Sequence, residues 1–225
     1  MSNLLTSSIG KKLIMALAGL FLCVFLVVHL SVNLCLLRND GGAWFCAAAG
    51  FMSTNKVIKV FEFVLFGGLL LHIIYGCILQ VQNWMARPSR YAVIHFSQTS
   101  FFSKYMIHTG GIIFVFLGIH LLNFYFVKLG LSGAPQGIYS VEDKHDFYHM
   151  ALNLFSNPVY SITYIVFMLF LGFHLHHSFQ SAFQTLGLNH KKYTPVIKVL
   201  GTIYSIAIAI GFAIIPLYFL LFFKN

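Results

Sequence analysis

The sequence predicts an all-α membrane protein, a five-transmembrane-helix bundle forming one domain over residues 1–225. Three observations carry that prediction. Only 8% of the residues are charged and 59% are hydrophobic, whereas a soluble domain carries about 25% charged residues. Five stretches contain no Lys, Arg, Asp or Glu: Leu13 to Leu37, Phe63 to Ala86, Tyr105 to Val127, Phe147 to Asn189 and Val199 to Phe223. Each exceeds the roughly 20 residues that cross a hydrocarbon core. None shows the period-two alternation of barrel strands, and in lipid the alternative to a closed barrel is the helix, which satisfies its own backbone.

The first helix is expected at 12–37; it is longer than the apolar region of a signal peptide and ends in "LLRND" rather than a cleavage site, so it should be retained. The second and third are expected at 57–85 and 104–128. The fourth, 158–187, opens with Asn157 as N-cap and Pro158 at the first helical position and closes at Gly187. The fifth, 195–223, repeats the opening device with Thr194 and Pro195 and contains Pro216, which should kink it or mark its last turn. The connection from Gly130 to Asn157 is the longest and contains "IYSVEDKHDFYHM"; loops of such length are functional or disordered. No pair of broken helices recurs at matched positions, as the repeats of a transporter would require.

Basic residues give the orientation. With the N-terminus inside, the inner flanks hold Lys11, Lys12, Arg87, Arg90, Lys104, Lys191, Lys192 and Lys198, against Arg38, Lys56, Lys59, Lys128, Lys144 and Lys224 outside. All the acids (Asp40, Glu62, Glu142, Asp143, Asp146) fall outside, so the expected arrangement is N-in, C-out. The net charge of +9 sits at helix ends, where lipid headgroups or a docked soluble partner meet it; nucleic acid is excluded as a partner. Cys23, Cys35, Cys46 and Cys77 are scattered, which excludes iron-sulfur ligation and covalent c-type haem within this chain.

Among the histidines, His95, His145, His149 and His190 fall in loops, where a solvated surface role is the default. His29, His72, His120 and His174 lie deep in four different hydrophobic segments, where an ionisable side chain is costly and marks a functional candidate. One such histidine alone would more often bond across to a neighbouring helix. Depth sorts the four. His29 is nine residues before Arg38 and His120 eight before Lys128, so both lie roughly 12 to 14 Å below the outer edge at 1.5 Å per residue. His72 stands thirteen residues after Lys59 and His174 sixteen after Pro158, several residues deeper. Two layers of two imidazoles suit two b-type haems with both axial positions filled, which carry electrons and leave no open site. Zinc fits less well, because its sites gather four ligands at one level. Gly68 and Gly76, four residues either side of His72, suggest an open stripe for a porphyrin edge, or simply close helix packing.

The runs "ALAGLFLCVFLVVHLSVN", "LLLHIIYG", "TGGIIFVFLGIHLLNF" and "FHLHHSFQSAFQTLG" together resemble the cytochrome b membrane subunit of succinate dehydrogenase and fumarate reductase, in its five-helix, di-haem form. The resemblance covers nearly the whole chain. It implies two haem b between the first four helices, with His29 and His120 as axial ligands of the haem far from the soluble subunits and His72 and His174 as those of the near one. It further implies a flavoprotein subunit with FAD and an iron-sulfur subunit as partners on the inner face, a membrane quinone (menaquinone) as substrate, and a place in the bacterial cytoplasmic membrane. Some family members use an acid at the outer end of the second helix for quinone chemistry, and Glu62 lies near that position, although its spacing to His72 is short for an equivalence. His177 is about 60° from His174 and one turn on, a second-choice ligand or propionate contact, whereas His176 points some 160° away, toward another helix or headgroups. Two other readings stand beside this one: the cytochrome b anchor of a formate dehydrogenase, hydrogenase or nitrate reductase, and a non-haem transporter or scaffold.

Overall fold

The computed structural model describes residues 7–85 and 105–222; Arg87, Arg90, His95, Lys104 and Lys224 lie outside them. Within the described residues every element is helical, and five helices are long and apolar enough to cross a membrane. We number the helices α1 (Ser8–Leu34), α2 (Ala43–Thr54), α3 (Lys56–Met85), α4 (Met106–His120), α5 (Phe147–Ser156), α6 (Pro158–Thr185) and α7 (Thr194–Phe222). The spans are α1, α3, α4, α6 and α7.

Local chemistry sets most of the ends. The Ser7 side chain accepts from the Gly10 N–H at 3.0 Å, so α1 begins at Ser8 and carries Lys11 and Lys12 on its first turns. Asn55 caps α3 by accepting from Val57 N at 2.9 Å, and Asn157 caps α6 by accepting from Val159 N at 2.9 Å. Past the end of α6, Gly187 sits at φ +85 and the Leu188 N–H returns to the Phe183 carbonyl at 3.0 Å, a closure that needs left-handed backbone. Thr194 departs from expectation. It is the first residue of α7 and its hydroxyl reaches Asn189 Oδ1 at 3.3 Å instead of capping. The helix runs on through the buried Pro216 to Phe222.

α4 does not end at His120. It continues through a π turn, Leu121–Tyr125, into a last short turn, Phe126–Lys128. The wider turn leaves backbone carbonyls short of helical partners, and the Ser132 hydroxyl donates to that of Leu122 at 2.7 Å.

Two short helices that the hydrophobic segments did not reveal, α2 and α5, lie between the spans at the end of the bundle opposite Lys11 and Lys12. We call this the capped end. The long connection before Pro158 is therefore largely structure: Met150 through Phe155 of α5 are all buried. Asn153 holds the preceding loop onto it, donating to the Pro135 carbonyl at 3.1 Å and the Tyr139 carbonyl at 2.8 Å and accepting from Tyr139 N at 3.0 Å. Gly42, at φ +83, starts α2, and a Cβ there would meet the Tyr148 ring at 2.6 Å. A core of Leu36, Phe45, Leu154, Phe155, Tyr164, Ile215 and Phe219 joins α2 and α5 to α6 and α7.

α6 and α7 pack along their lengths because small residues let their backbones approach. Ala209 Cβ is 3.0 Å from where a Gly172 Cβ would stand, and Gly201 makes room for Phe179. α3, by contrast, is peripheral: Leu79 is its one buried residue, and Phe63, Val60 and Leu70 are exposed in the manner of lipid-facing side chains.

Candidate cofactor site

The four intramembrane histidines stand in two pairs. His29 of α1 and His120 of α4 have ring centroids 5.8 Å apart, and His72 of α3 and His174 of α6 are 6.3 Å apart. In neither pair is there a direct hydrogen bond between the rings. A metal–imidazole bond is about 2.0–2.1 Å, and the ring centre lies about 1.1 Å behind the nitrogen, so two trans imidazoles on one metal hold their centres roughly 6.3 Å apart. Both separations are close to that figure.

Each pair has its own surroundings. The pair nearer the capped end is boxed by aromatic rings: Phe25 stacks on His29 at 5.2 Å and Phe212 tilts against it at 5.6 Å, while Phe116, Phe124 and Tyr164 lie 5.8, 5.3 and 6.4 Å from His120. Asn33 Nδ2 donates to the His29 carbonyl at 2.8 Å, and Tyr164 accepts from Asn123 at 3.3 Å. Nδ1 of His120 is buried without a protein partner, a costly state for a polar atom unless something else takes it up.

The deeper pair is lined by glycine. Gly19 of α1 faces the His72 ring, where a Cβ would stand 3.5 Å from Cε1, and Gly110 of α4 faces His174 at 3.6 Å. Thr109 Oγ1 is 3.3 Å from His174 Nδ1 and bonds the Met106 carbonyl at 2.9 Å. A group on Nδ1 of a ligating histidine fixes its tautomer and leaves Nε2 for the metal.

Gly19 and Gly110 each precede by ten residues the histidine on their own helix, His29 and His120. Each of α1 and α4 thus gives a ligand candidate to one pair and a bare wall to the other, the two levels lying about 15 Å apart at 1.5 Å per residue. Reading outward from the histidines alone missed Gly19, Gly110, Thr109 and Tyr164. The repeated spacing, glycine ten before histidine, was the available signal for two of them. Gly68, by contrast, does not line an open stripe: the Phe21 ring of α1 fills the space, 3.3 Å from its notional Cβ. Beside Gly76 nothing lies within 4 Å.

The other histidines separate cleanly. His176 turns toward α7, its Nε2 3.2 Å from the Thr202 hydroxyl. His177 is half-buried one turn beyond His174. His149 is not a free surface residue: its Nδ1 meets Asp146 at 2.7 Å and its ring packs on Tyr139 at 4.9 Å. Among the described residues no group of three or more His, Cys, Asp and Glu is placed to hold a metal ion.

At the capped end, residues of α2, α3, α5 and the loop before α5 line a half-open cavity of about 600 Å³, within the range of small-molecule sites. Phe45, Phe147 and Tyr148 give it aromatic walls, and Lys59, Asp143 and His145 give it polar groups. Asp143 Oδ1 accepts from the His145 backbone at 2.9 Å and lies 3.3 Å from its Nδ1; the backbone bond is the main reason its carboxyl sits below the usual range. Burial pushes the Tyr148 phenol up, so it stays a neutral donor. Glu62 does not line this cavity. It forms an ion pair with Lys128 at 3.0 Å, one turn along α3 from Lys59.

The fold and site thus define a class, a multi-pass helical membrane protein with two stacked histidine pairs in its interior. No family model, no curated protein and no solved structure matches the chain.

Proposed function

We propose that the chain is the di-haem cytochrome b anchor of a succinate:quinone or quinol:fumarate oxidoreductase, passing electrons between a membrane quinone and the iron-sulfur subunit of the complex. The observation that carries this is the pairing of four part-buried imidazoles within the spans, at separations suited to holding one metal between each pair. The sequence resemblance supplies the family.

The residues present fit two haem b. His29 with His120, and His72 with His174, would hold the irons. Gly19 and Gly110 leave flat walls beside the deeper pair. Held by two histidines each, the haems would supply one-electron transfer and would leave no site for oxygen or substrate. The protein does the rest. Phe25, Phe116, Phe124 and Phe212 keep water from the outer level, and Thr109 orients the His174 ring.

The cavity at the capped end is the candidate quinone site. Its aromatic walls suit a quinone ring, Tyr148 and Lys59 can donate to quinone oxygens, and Asp143 with His145 can exchange protons with the water outside. The shared core of Phe45, Phe155 and Tyr164 connects this cavity with the outer histidine level. Lys11, Lys12, Lys191, Lys192 and Lys198 gather at the opposite end, a basic surface for the soluble subunits.

The test is the purified protein. A dithionite-reduced spectrum with two b-type haems per chain, together with co-purified flavin, is expected. Absence of any reducible haem would remove the proposal, and co-purified molybdenum or nickel would move the chain to another respiratory complex.

A further inference from the structure

The connection between the first two spans carries a helix whose outward face is apolar. α2 has no charged residue, and at about 100° per residue Trp44, Ala47, Ala48 and Phe51 fall within one arc of about 100°. Trp44 is 59% and Phe51 57% exposed, as open as Val57 (62%) and Val60 (65%) on the adjoining span α3. Cys46, Ala49 and Ser53 fall on the opposite side and line the cavity. We propose that α2 is an interfacial membrane helix, with Trp44, Ala47 and Phe51 set into the headgroup–acyl boundary of the bilayer at the capped end. The inference uses only the spans and stands apart from the haem reading.

Chain geometry sets the depth. α1 ends at Leu34 and α3 begins at Lys56, so two spans reach the membrane edge on either side of α2. Its 12 residues make about 18 Å at 1.5 Å per residue, too short to cross a hydrocarbon core of about 30 Å. Phe45 ties the helix to the span ends, sharing a core with Leu36, Phe155 and Phe219. α2 is thus held at headgroup level with the other face outward. Past Phe51 the exposed apolar side chains resume at Val57 and Val60 with no acid between. The face continues the lipid-facing surface of α3.

The flanking chemistry suits phospholipid. Basic residues bracket the helix, Arg38 before it and Lys56 after it. The half-exposed Arg38 guanidinium lies 4.5 Å over the Trp44 ring, and its Nε donates to Asp40 Oδ2 at 3.2 Å. Asp40 also accepts from the Gly42 N–H at 3.1 Å and the Trp44 N–H at 3.4 Å, so one carboxylate fixes the start of the helix and the cation together. With Nε given to Asp40, the terminal nitrogens remain donors for phosphate oxygens. An indole beside a cation is the pairing a membrane interface favours, the ring among acyl chains and the charge at the headgroups. A solvated helix would turn polar side chains outward instead. One helix, slender along Ala47 to Gly50, then separates the cavity from the acyl chains.

Trp44 reports its own surroundings. The chain has two tryptophans, so Trp84→Phe leaves Trp44 as the single emitter. The full-length variant in phosphatidylcholine vesicles should lose more emission to acyl chains brominated near the headgroup than to chains brominated near their ends. It should lose little to acrylamide in the water. Each loss is measured against the same protein in unbrominated vesicles without quencher. Ala47 is exposed in the middle of the face, so adding Ala47→Asp should raise the acrylamide loss and reduce the bromolipid loss, whereas Ala47→Leu should leave both as they were. Strong acrylamide quenching with none from either bromolipid would place the face in water and overturn the proposal. So would shielding from all three quenchers, which would assign the face to a second copy or another protein. Strongest quenching by bromines at the chain ends would overturn it as well, as would unchanged quenching in an Ala47→Asp variant of unchanged helicity.

Discussion

Replacing the four histidines by leucine, singly and in pairs, tests the two-level arrangement by counting. The rings of one pair are 5.8 or 6.3 Å apart, while the levels are separated by about 15 Å, ten residues of helix. Loss of one ligand should therefore empty its own level and spare the other. Each single variant should fall from two haems per chain to one. His29→Leu with His120→Leu should still retain one, because both act on the same level, whereas His29→Leu with His72→Leu should retain none. This is a double-mutant cycle read in stoichiometry, and strong non-additivity within a pair with additivity between pairs is its signature. His176→Leu should keep both haems, since its ring is engaged with Thr202; so should His177→Leu if it is no ligand. The assay is pyridine haemochrome content per mole of protein, with redox titration to tell the levels apart. A His29/His120 double variant empty of haem, or a His29/His72 double variant still holding one, in protein of unchanged helicity, would refute the pairing.

Other outcomes follow from the capped end. Gly42→Ala should destabilise by about 1–2 kcal/mol for the left-handed backbone alone, and more because Tyr148 must move from its 2.6 Å approach; a lowered thermal midpoint in detergent checks it. Asn153→Ala removes the side-chain partner of three backbone groups and should cost roughly 1–3 kcal/mol, with faster amide exchange at Tyr139 as the local readout. Glu62 pairs with Lys128 outside the cavity, so Glu62→Gln should leave quinone turnover and both haem bands unchanged; slowed turnover would bring the Glu62–Lys128 pair into the mechanism. Burial, with Asp146 and Asp40 nearby, raises the Cys46 thiol above its ordinary value, so it should alkylate more slowly than a free thiol at neutral pH. It lines the cavity, and a soluble quinone should slow the reaction further.

The spans were legible because lipid imposes a single requirement, a long run without charge, and the flanking lysines supplied the edges from which histidine depth could be measured. The caps at Asn157, Pro158 and Gly187 were legible because each is a local event in two or three residues. α2 and α5 were not. They are too short to cross a membrane, and α5 is bounded by Asp146 and Pro158, so a charge-free run reads there as a loop leading into the next span. Their helical state comes from burial of Phe45, Leu154 and Phe155 against α6 and α7, a tertiary effect with no local signature. The environment of the histidines was hidden for a related reason. Gly19 and Gly110 serve rings on other helices, so their purpose emerges only when the helices are set side by side. Gly68 reads from the sequence as an open stripe or as a place of close packing; the structure gives the second, against Phe21, which no spacing within α3 could name.

The π turn after His120 has a consequence for how this end of the molecule tolerates change. Holding one residue more than an α turn, it advances everything beyond it by about 100° around the axis. The direction in which His120 looks and the direction in which Lys128 looks are thereby set independently, one toward α1 and the other toward α3. Deleting any single residue from Leu121–Tyr125 would let the helix close regularly and swing Lys128 off Glu62, stranding a carboxylate at the membrane edge. An insertion or deletion here would act as a steering error, leaving the composition of the helix almost untouched.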